Sequence, residues 1–449
     1  MKITSHKRCI IVGAGVAGIA AALECIAQGI QPILIEAKPY IGGRARSFVD
    51  KSTNETIDNG QHLMMGCYTY FLQMLERLGT THLLKPQPAM KVVFYDADGT
   101  KDVLDASRMK GKNGVALGIW NLKRVSTASK LRALLLAAKI QFNLASYNGM
   151  SAAEFLQYHK QPHEIITRLW EPVILATLNS TPENASASLL VEVLKRAMFG
   201  SGDASSLLLP QAGLSVLFEP LENFIHQHGG SIMLSTEIKE VLMFDGNAIG
   251  VVTEDDREVR GDDVILTIPP RALQRLNIQQ IVDGKAQSTL QEYVFSPIIS
   301  VYLWFDKNFM DDDFAAMLET TTQWVFNKRK MTQTTQECLE QFPGHVSLTV
   351  SAANPIVHES AEHIAHQCTE ELRKVFPAAQ DATLLQYKVI KEKQATFLAT
   401  PQLESHRLQV RTTVPNVYLA GDWTNTGLPA TLEGAAQSGV KAVAEIISA

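Results

Sequence analysis

The sequence predicts an α/β fold in which a Rossmann-like domain, assembled from separated segments, is interleaved with an α+β domain. Three observations carry this. Near the N-terminus, CIIVGAGVAGIAAALECIAQG runs strand, glycine turn, helix. Far downstream, DDVILTIPP (262–270) has the pattern of a strand returning to the same sheet. The C-terminal stretch gives VYLAGDW and then a Gly/Ala-rich helix, LEGAAQSGVKAVAEIIS. At 449 residues the chain exceeds what one hydrophobic core usually holds, so two domains are expected.

Each element has a local reason. CIIV is a short apolar β run, and GAGVAG opens a helix with a small inner face that stops at Gly29. PILIEA (32–37) is the second strand of a βαβ unit. MGCYTYFLQMLERLG (65–79) has helical amphipathic spacing and ends on Gly79. KVVFYDADGTKDVL (91–104) is a hairpin turning at Asp98-Gly99. KLRALLLAAKIQFNL, within 124–146, is a basic-apolar helix, and 151–200 is largely helical in pattern. From 205 the chain gives a turn, a helix and several strands, and IISVYLWFD (298–306) and HVSLTVSAA (345–353) are strands of a second sheet. The expected division is 1–75, 205–275 and 411–449 for the Rossmann-like domain. Residues 76–204, mostly helical, and 276–410, sheet plus helices, form the other.

Composition narrows the function. Lys and Arg number 41 against 46 Asp and Glu, a net charge of −5, so no nucleic-acid partner is expected. The five cysteines, Cys9, Cys25, Cys67, Cys338 and Cys368, are scattered without a CxxC pair, which argues against a disulfide framework or a structural zinc. No metal site is expected. The run CIIVGAG is too short and glycine-rich for a signal sequence. No stretch of about 18 uncharged apolar residues is present. A cytoplasmic protein, peripheral on the inner membrane at most, is the expectation. There is no internal repeat or low-complexity segment.

The glycines Gly13, Gly15 and Gly18 have the GxGxxG spacing. Gly13 permits the tight turn, Gly15 lets backbone approach a pyrophosphate, and Gly18 allows close helix–strand packing. The helix start, with Val16 and Ala17, presents unpaired N–H groups to phosphates. Glu36, followed by Ala37 at the end of the next strand, can accept from ribose hydroxyls. Ile41-Gly42-Gly43-Arg44 then favours FAD over NAD: two glycines let backbone pass close to a ligand, and Arg44 can reach phosphate or the flavin edge. Gly421-Asp422 sits at a strand end, suited to ribityl hydroxyls. Thr431 and Leu432 open the last helix, whose N–H groups can meet the pyrophosphate or flavin O2.

These residues resemble the flavin amine oxidase, phytoene desaturase and protoporphyrinogen oxidase superfamily over essentially the whole chain. The resemblance includes Glu36 to Gly42-Gly43-Arg44, Leu209-Pro210-Gln211-Ala212-Gly213-Leu214-Ser215, Thr267-Ile268-Pro269-Pro270-Arg271-Ala272-Leu273 and Gly421-Asp422. It implies FAD held by a domain of three segments, with Ile238 laying backbone against the adenine, and a second domain covering the flavin. Within the superfamily, DNGQHLMMGCY (58–68) looks like the corresponding stretch of the hydroxysqualene dehydroxylase family. LWEPVILATLNSTPENASA (169–187) is similar to that family's W-x-P-x-x-x-A-x-x-N-T-x-P-x-x-A-S segment, with Ser180 inserted between Asn179 and Thr181. The resemblance implies reductive conversion of hydroxysqualene to squalene, with reduced FAD as hydride donor and other squalene-pathway enzymes as partners.

That chemistry needs an acid for the leaving oxygen. His62 is the candidate, because imidazole titrates near neutral pH, with Asp58 and Gln61 orienting it or contacting flavin. A hydrogen-bonded structural histidine is the competing reading. Asn59 and Gly60 are expected beside the cofactor, and Leu63-Met64-Met65 should begin an apolar surface for a polyisoprenoid. Trp170, Asn179, Tyr302 and Trp304 are candidate tunnel residues, against the plainer reading of the aromatics as core. Residues 124–146, with Arg124, Lys130, Arg132 and Lys139 around LLLAA, suit a surface helix contacting a membrane, with an ordinary amphipathic helix of the second domain as the equal alternative. Carotenoid-type desaturation and non-catalytic prenyl-lipid binding are the alternatives. No second GxGxxG follows a strand, so electrons would come from external NAD(P)H or a reductase.

Overall fold

The computed structural model describes residues 7–142, 147–200 and 202–449. Its first layer is an all-parallel sheet in the order Ser231–Met233, Gln31–Ile35, Arg8–Val12, Asp263–Leu266, Val417–Leu419. RCIIV, QPILI and DVIL are almost wholly buried, as a parallel sheet covered on both faces requires. The strand expected in DDVILTIPP does return beside the first one, with Cys9 opposite Asp263. Helices Val16–Ala27 and Leu432–Ser448 pack on this sheet backbone to backbone: a methyl at Gly439 would lie 2.1 Å from the Ala17 carbonyl oxygen. That contact is why both helices are rich in Gly and Ala.

The helix expected over 65–79 starts later, at Thr69–Leu78. Met64–Met65 is instead a short strand pairing with Leu207–Pro210, which also pairs with Leu84–Pro86. The helix crosses the expected boundary at 75: Phe71, Met74, Leu75, Leu78 and Leu84 share one core with the 16–27 helix. Its N-terminus is fixed from the far end of the chain, where the buried Glu433 carboxylate accepts from the Tyr70 and Phe71 N–H groups at 3.1 and 2.9 Å. Amphipathic spacing located the helix but could not name a partner 362 residues away, so the boundary fell short.

The second layer is a mixed sheet in the order Leu384–Phe397, Phe295–Phe305, Gly344–Val350, Trp324–Asn327, Phe314–Met317, Lys91–Tyr95, Lys101–Asp105. The expected 91–104 hairpin is its last pair, turning through Gly99 at φ 80°. Alternation along Phe295–Phe305 sends Val301, Leu303 and Phe305 to one face, against Ile364, Cys368 and Leu372 of helix Ala361–Val375. Tyr302 and Trp304 go to the other, against Ile57. Ile57 belongs to a small hairpin, Ser47–Val49 with Thr56–Asp58. The segment DNGQH therefore begins where this hairpin lies across the second sheet. Helices between 111 and 199 close the remaining side around Phe155, Trp170 and Leu190. No helix among the described residues is long and apolar enough to cross a membrane.

Candidate functional site

The glycine fingerprint is built as a cradle. Gly13 has φ 108°, a conformation L side chains rarely adopt, and its N–H donates to the Ile35 carbonyl at 2.7 Å. A Cβ at Gly18 would stand 1.9 Å from the Gly13 carbonyl oxygen, so helix and turn touch. At Gly15 the opposite holds: a Cβ would meet nothing within 4 Å. The space beyond Gly15 thus faces the start of helix Val16–Ala27, whose first-turn N–H groups lack helical partners. Gly42 bridges Gly15, its N–H donating to the Ala14 carbonyl at 2.8 Å. Glu36 is held by the Ala14 N–H on one oxygen and the Lys38 N–H on the other, both at 2.8 Å. Ala37 is exposed beside it. Ile238 opens a strand two residues after Thr236, whose N–H donates to the Glu36 carbonyl at 2.9 Å.

Arg44 joins this cradle to the C-terminal segment. Its guanidinium donates to both Asp422 oxygens, at 2.8 and 2.9 Å, and to the Ala395 carbonyl at 2.6 Å. Asp422 is buried, and its carboxylate raises the Arg44 pKa. Gly421 before it has φ 147°, and its N–H donates to Ser438 Oγ at 2.8 Å. Thr431 caps helix Leu432–Ser448, accepting from Gly434 N–H. An open space at Gly15, two helix starts and two fixed carboxylates suit an extended phosphate-linked dinucleotide, so the residues fit a flavin dinucleotide.

The loop from Asp58 to His62 lies at the edge of this site. Asp58 is 2% exposed. Its Oδ1 accepts from Ser47 Oγ at 2.7 Å and from Leu214 N–H at 2.9 Å, while its carbonyl accepts from the Tyr302 hydroxyl at 2.8 Å. None of these bonds reaches His62. Asp58, expected to orient His62 or contact flavin, pins the end of the hairpin and acts on His62 through space, without a hydrogen bond to it. Asn59 donates to Glu392 at 3.3 Å, and Gly60 lies against Ser300. His62 Nδ1 bonds the Gly60 carbonyl at 2.7 Å. In the neutral ring Nδ1 must then carry the proton, leaving Nε2 as the acceptor. Burial lowers the His62 pKa; Arg44 adds to this, while the Gly60 bond and Asp58 oppose it.

Beneath the loop is a buried charged cluster that the sequence did not announce. Arg329 grips Glu55 with a two-pronged contact at 2.8 and 2.6 Å. Trp304 Nε1 and His345 Nδ1 reach the same carboxylate, both at 3.1 Å. Burial pushes the Glu55 pKa up, but His345 and Arg329 outweigh it and hold it at about 2. Burial pulls His345 down to about 4. Lys328 Nζ donates to Gln61 Oε1 at 3.0 Å and lies 3.9 Å from Asp58 Oδ2.

The expected tunnel residues are placed differently. Trp170, Tyr302 and Trp304 have no accessible surface, and each polar ring atom is spent on a neighbour: Gln161, the Asp58 carbonyl and Glu55. Asn179 is 4% exposed and staples three segments, donating to Ser296 O and Thr396 Oγ1 and accepting from Ala352 N–H. All four are packed here; for Tyr302 and Trp304, alternation along a strand cannot separate a packed wall from an open one. Met64 is likewise fully buried in the first-layer core, whereas Leu63 and Met65 pack toward the helical side.

The sequence profile of the family described as flavin containing amine oxidoreductase matches residues 16–447. The chain is 28% identical to the hydroxysqualene dehydroxylase of Sinorhizobium fredii over 97% of each chain. It is 24% identical to the 15-cis-phytoene desaturase of Synechococcus elongatus, over 98% of this chain and 96% of the relative. Among solved structures, an oxidoreductase from Methanosarcina mazei superposes with a TM-score of 0.73 at 17% identity, over 98% of this chain and 100% of the other.

Proposed function

This chain belongs to the flavin-containing amine oxidoreductase family and is a flavin-dependent oxidoreductase, and from that premise we propose that it removes the hydroxyl of hydroxysqualene to give squalene. The observation that supports this most is the placement of DNGQH. The stretch that resembles hydroxysqualene dehydroxylases lies between Arg44, at the dinucleotide cradle, and the second sheet. The relative of that name matches end to end.

Gly13, Gly15, Val16, Ala17 and Gly18 would receive the FAD pyrophosphate, Glu36 and Ala37 the adenosine ribose, and Ile238 the adenine edge. Gly42, Gly43, Arg44, Gly421, Asp422, Thr431 and Leu432 would hold the flavin half, with Asn59 and Gly60 beside it. When bound and reduced, with external NAD(P)H or a reductase as the electron source, FAD would supply hydride to the carbon that loses the hydroxyl. The chain must then protonate or stabilise the oxygen as its bond to the allylic carbon breaks, so that it departs as water. His62 offers Nε2, which gives a proton only when the ring is cationic. Because burial lowers its pKa beneath the ordinary histidine value of 6.5, the acid form is populated only below that lowered pKa and is lost as pH rises through it. Turnover is expected to increase toward acid, and His62→Ala is expected to keep its flavin, lose this acid limb and fall roughly 100-fold. A flat pH profile in the parent, or full turnover in the variant, rules the role out. Anaerobic incubation with reduced flavin and either hydroxysqualene or phytoene separates dehydroxylation from desaturation, the reading favoured by the 24% relative.

The protein meets its substrate at a bilayer through helix Thr127–Phe142. Leu131, Leu135 and Phe142 are exposed there, 49%, 58% and 87%, with Arg132 and Lys139 also exposed. Trp120, 43% exposed, ends the preceding helix. Of the expected basic residues, Arg124 is held by Asp96 at 3.0 Å, and 143–146 lie outside the described residues. Exposed apolar side chains flanked by cations suit an anionic lipid surface. Replacing Leu131, Leu135 and Phe142 with Ser is expected to lower sedimentation with anionic liposomes at least tenfold while turnover in detergent stays unchanged. Equal sedimentation of variant and parent excludes this face.

A further inference from the structure

Lys328 is an unusual residue for its position. It is 2% exposed, yet among the described residues its ammonium makes one hydrogen bond, to the neutral amide oxygen of Gln61 at 3.0 Å. An ammonium carries three N–H donors, and the carboxylate beside it, Asp58 Oδ2, stands back at 3.9 Å. The neighbouring residue shows the alternative. Arg329 uses four of its five N–H donors, with two bonds to Glu55 and two to the Phe342 carbonyl. The backbone that presents both is fixed by Asn327, which accepts from Arg329 N–H at 3.1 Å and donates to the Met310 carbonyl at 2.7 Å. A buried cation with so few partners is unfavourable for stability, and a methionine in its place would carry no such penalty.

The arrangement has a consequence for Gln61. With Oε1 turned to Lys328, the amide nitrogen is turned away from the lysine. One of its hydrogens makes a long bond to the His62 carbonyl at 3.3 Å, and the second has no described acceptor. A positive charge on the oxygen side also polarises the amide, which strengthens its N–H as a donor. We propose that Lys328 is a positioning residue for the departing oxygen: it fixes and polarises Gln61 so that the amide N–H donates to the substrate hydroxyl. This rests on the dehydroxylation reading above. The lysine acts through Gln61, and it complements His62, whose acid form is scarce at neutral pH.

The test is a double-mutant cycle on the oxidised holoenzyme, where no hydride is available and binding is read alone. Affinities for hydroxysqualene and for squalene are measured by the perturbation of bound-flavin absorbance. The parent is expected to prefer the alcohol by at least tenfold. Lys328→Met and Gln61→Ala should each abolish that preference, and the double variant should be no worse than either single one. Losses that multiply, or a Lys328→Met protein that keeps the preference, overturn the proposal while leaving dehydroxylation intact. A parent with no preference and no turnover overturns both. Should Lys328→Met fail to hold flavin, Gln61→Glu decides: it keeps an oxygen toward the lysine but lacks the amide donor. It should lose the preference, and retention of the preference overturns the proposal.

Discussion

A Gly18→Ala protein is expected to purify colourless and less stable than its parent, whereas Gly15→Ala should fold as well as the parent and bind flavin weakly. Both glycines belong to one fingerprint, but their surroundings differ. At Gly18 a methyl would lie 1.9 Å from the Gly13 carbonyl oxygen and 3.0 Å from Thr267 Oγ1. Neither neighbour can step aside cheaply. Thr267 Oγ1 is itself bonded to the Val12 and Gly13 carbonyls, at 2.9 and 2.8 Å, and Gly13 sits at φ 108° with its N–H on Ile35. The helix must therefore move off the sheet, taking its first-turn N–H groups with it. Overpacking of this kind costs about 1–3 kcal/mol. It outweighs the gain of about 1 kcal/mol that Ala offers over Gly in a helix interior. Gly15 has no atom within 4 Å of its Cβ position and no positive φ, so Ala there disturbs only what would enter that space. Flavin content on purification and the apoprotein melting midpoint distinguish the two. A yellow Gly18→Ala protein, or a Gly15→Ala apoprotein that melts well below the parent, contradicts the account.

The same contrast marks what could be read in the sequence. The cradle was legible because its residues answer to local geometry: a turn at Gly13, a close contact at Gly18, a carboxylate one strand later. Gly421-Asp422 answers to the same kind of local geometry, while Arg44, expected to reach phosphate or the flavin edge, pairs with Asp422 across 378 positions, a partner that no local pattern names. Glu55, Lys328, Arg329 and Arg407 were not legible. A charged residue carries the same letter on a surface as in a core, and only the packing of segments distant in sequence buries these four. The misplaced tunnel residues fail on the same ground. Tyr302 and Trp304 alternate as a lining would, but the face they share is closed by the Ser47–Asp58 hairpin, whose docking no local pattern encodes. Trp170 and Asn179 lie in a segment chosen by resemblance, where a residue that recurs for packing looks the same as one that recurs for substrate.

Arg407→Met is expected to be the most destabilising single change outside the glycine fingerprint. The side chain is 1% exposed and spans the loop after Asp422 from within. Nε reaches the Trp423 carbonyl at 3.4 Å, NH1 the Leu428 carbonyl at 2.8 Å, and NH2 the Asp422 carbonyl at 2.7 Å and the Thr424 carbonyl. NH1 also meets Glu404 at 3.1 Å, and the guanidinium stacks on Phe397 with 4.8 Å to the ring centroid. Methionine fills much of the same volume but strands the Asp422 carbonyl and the Glu404 carboxylate, and it takes one of two donors from the carbonyls of Trp423, Thr424 and Leu428, which keep the Tyr293 hydroxyl, the Thr426 N–H and a long bond from Thr426 Oγ1. Removing one partner of a buried pair costs about 3–5 kcal/mol. At ~2–4 °C per kcal/mol in a large domain, the apoprotein midpoint should fall by roughly 10 °C. Arg407→Lys keeps the charge but cannot span the carbonyls that the planar fork reaches, so it should recover less than half of the loss. Adding Glu404→Gln to Arg407→Met should recover a part as well, since the stranded charge is gone while the Asp422 carbonyl remains unpaired. If the midpoint barely moves in Arg407→Met, the loop holds its shape without the guanidinium. If Lys restores it fully, charge rather than geometry is what the loop requires.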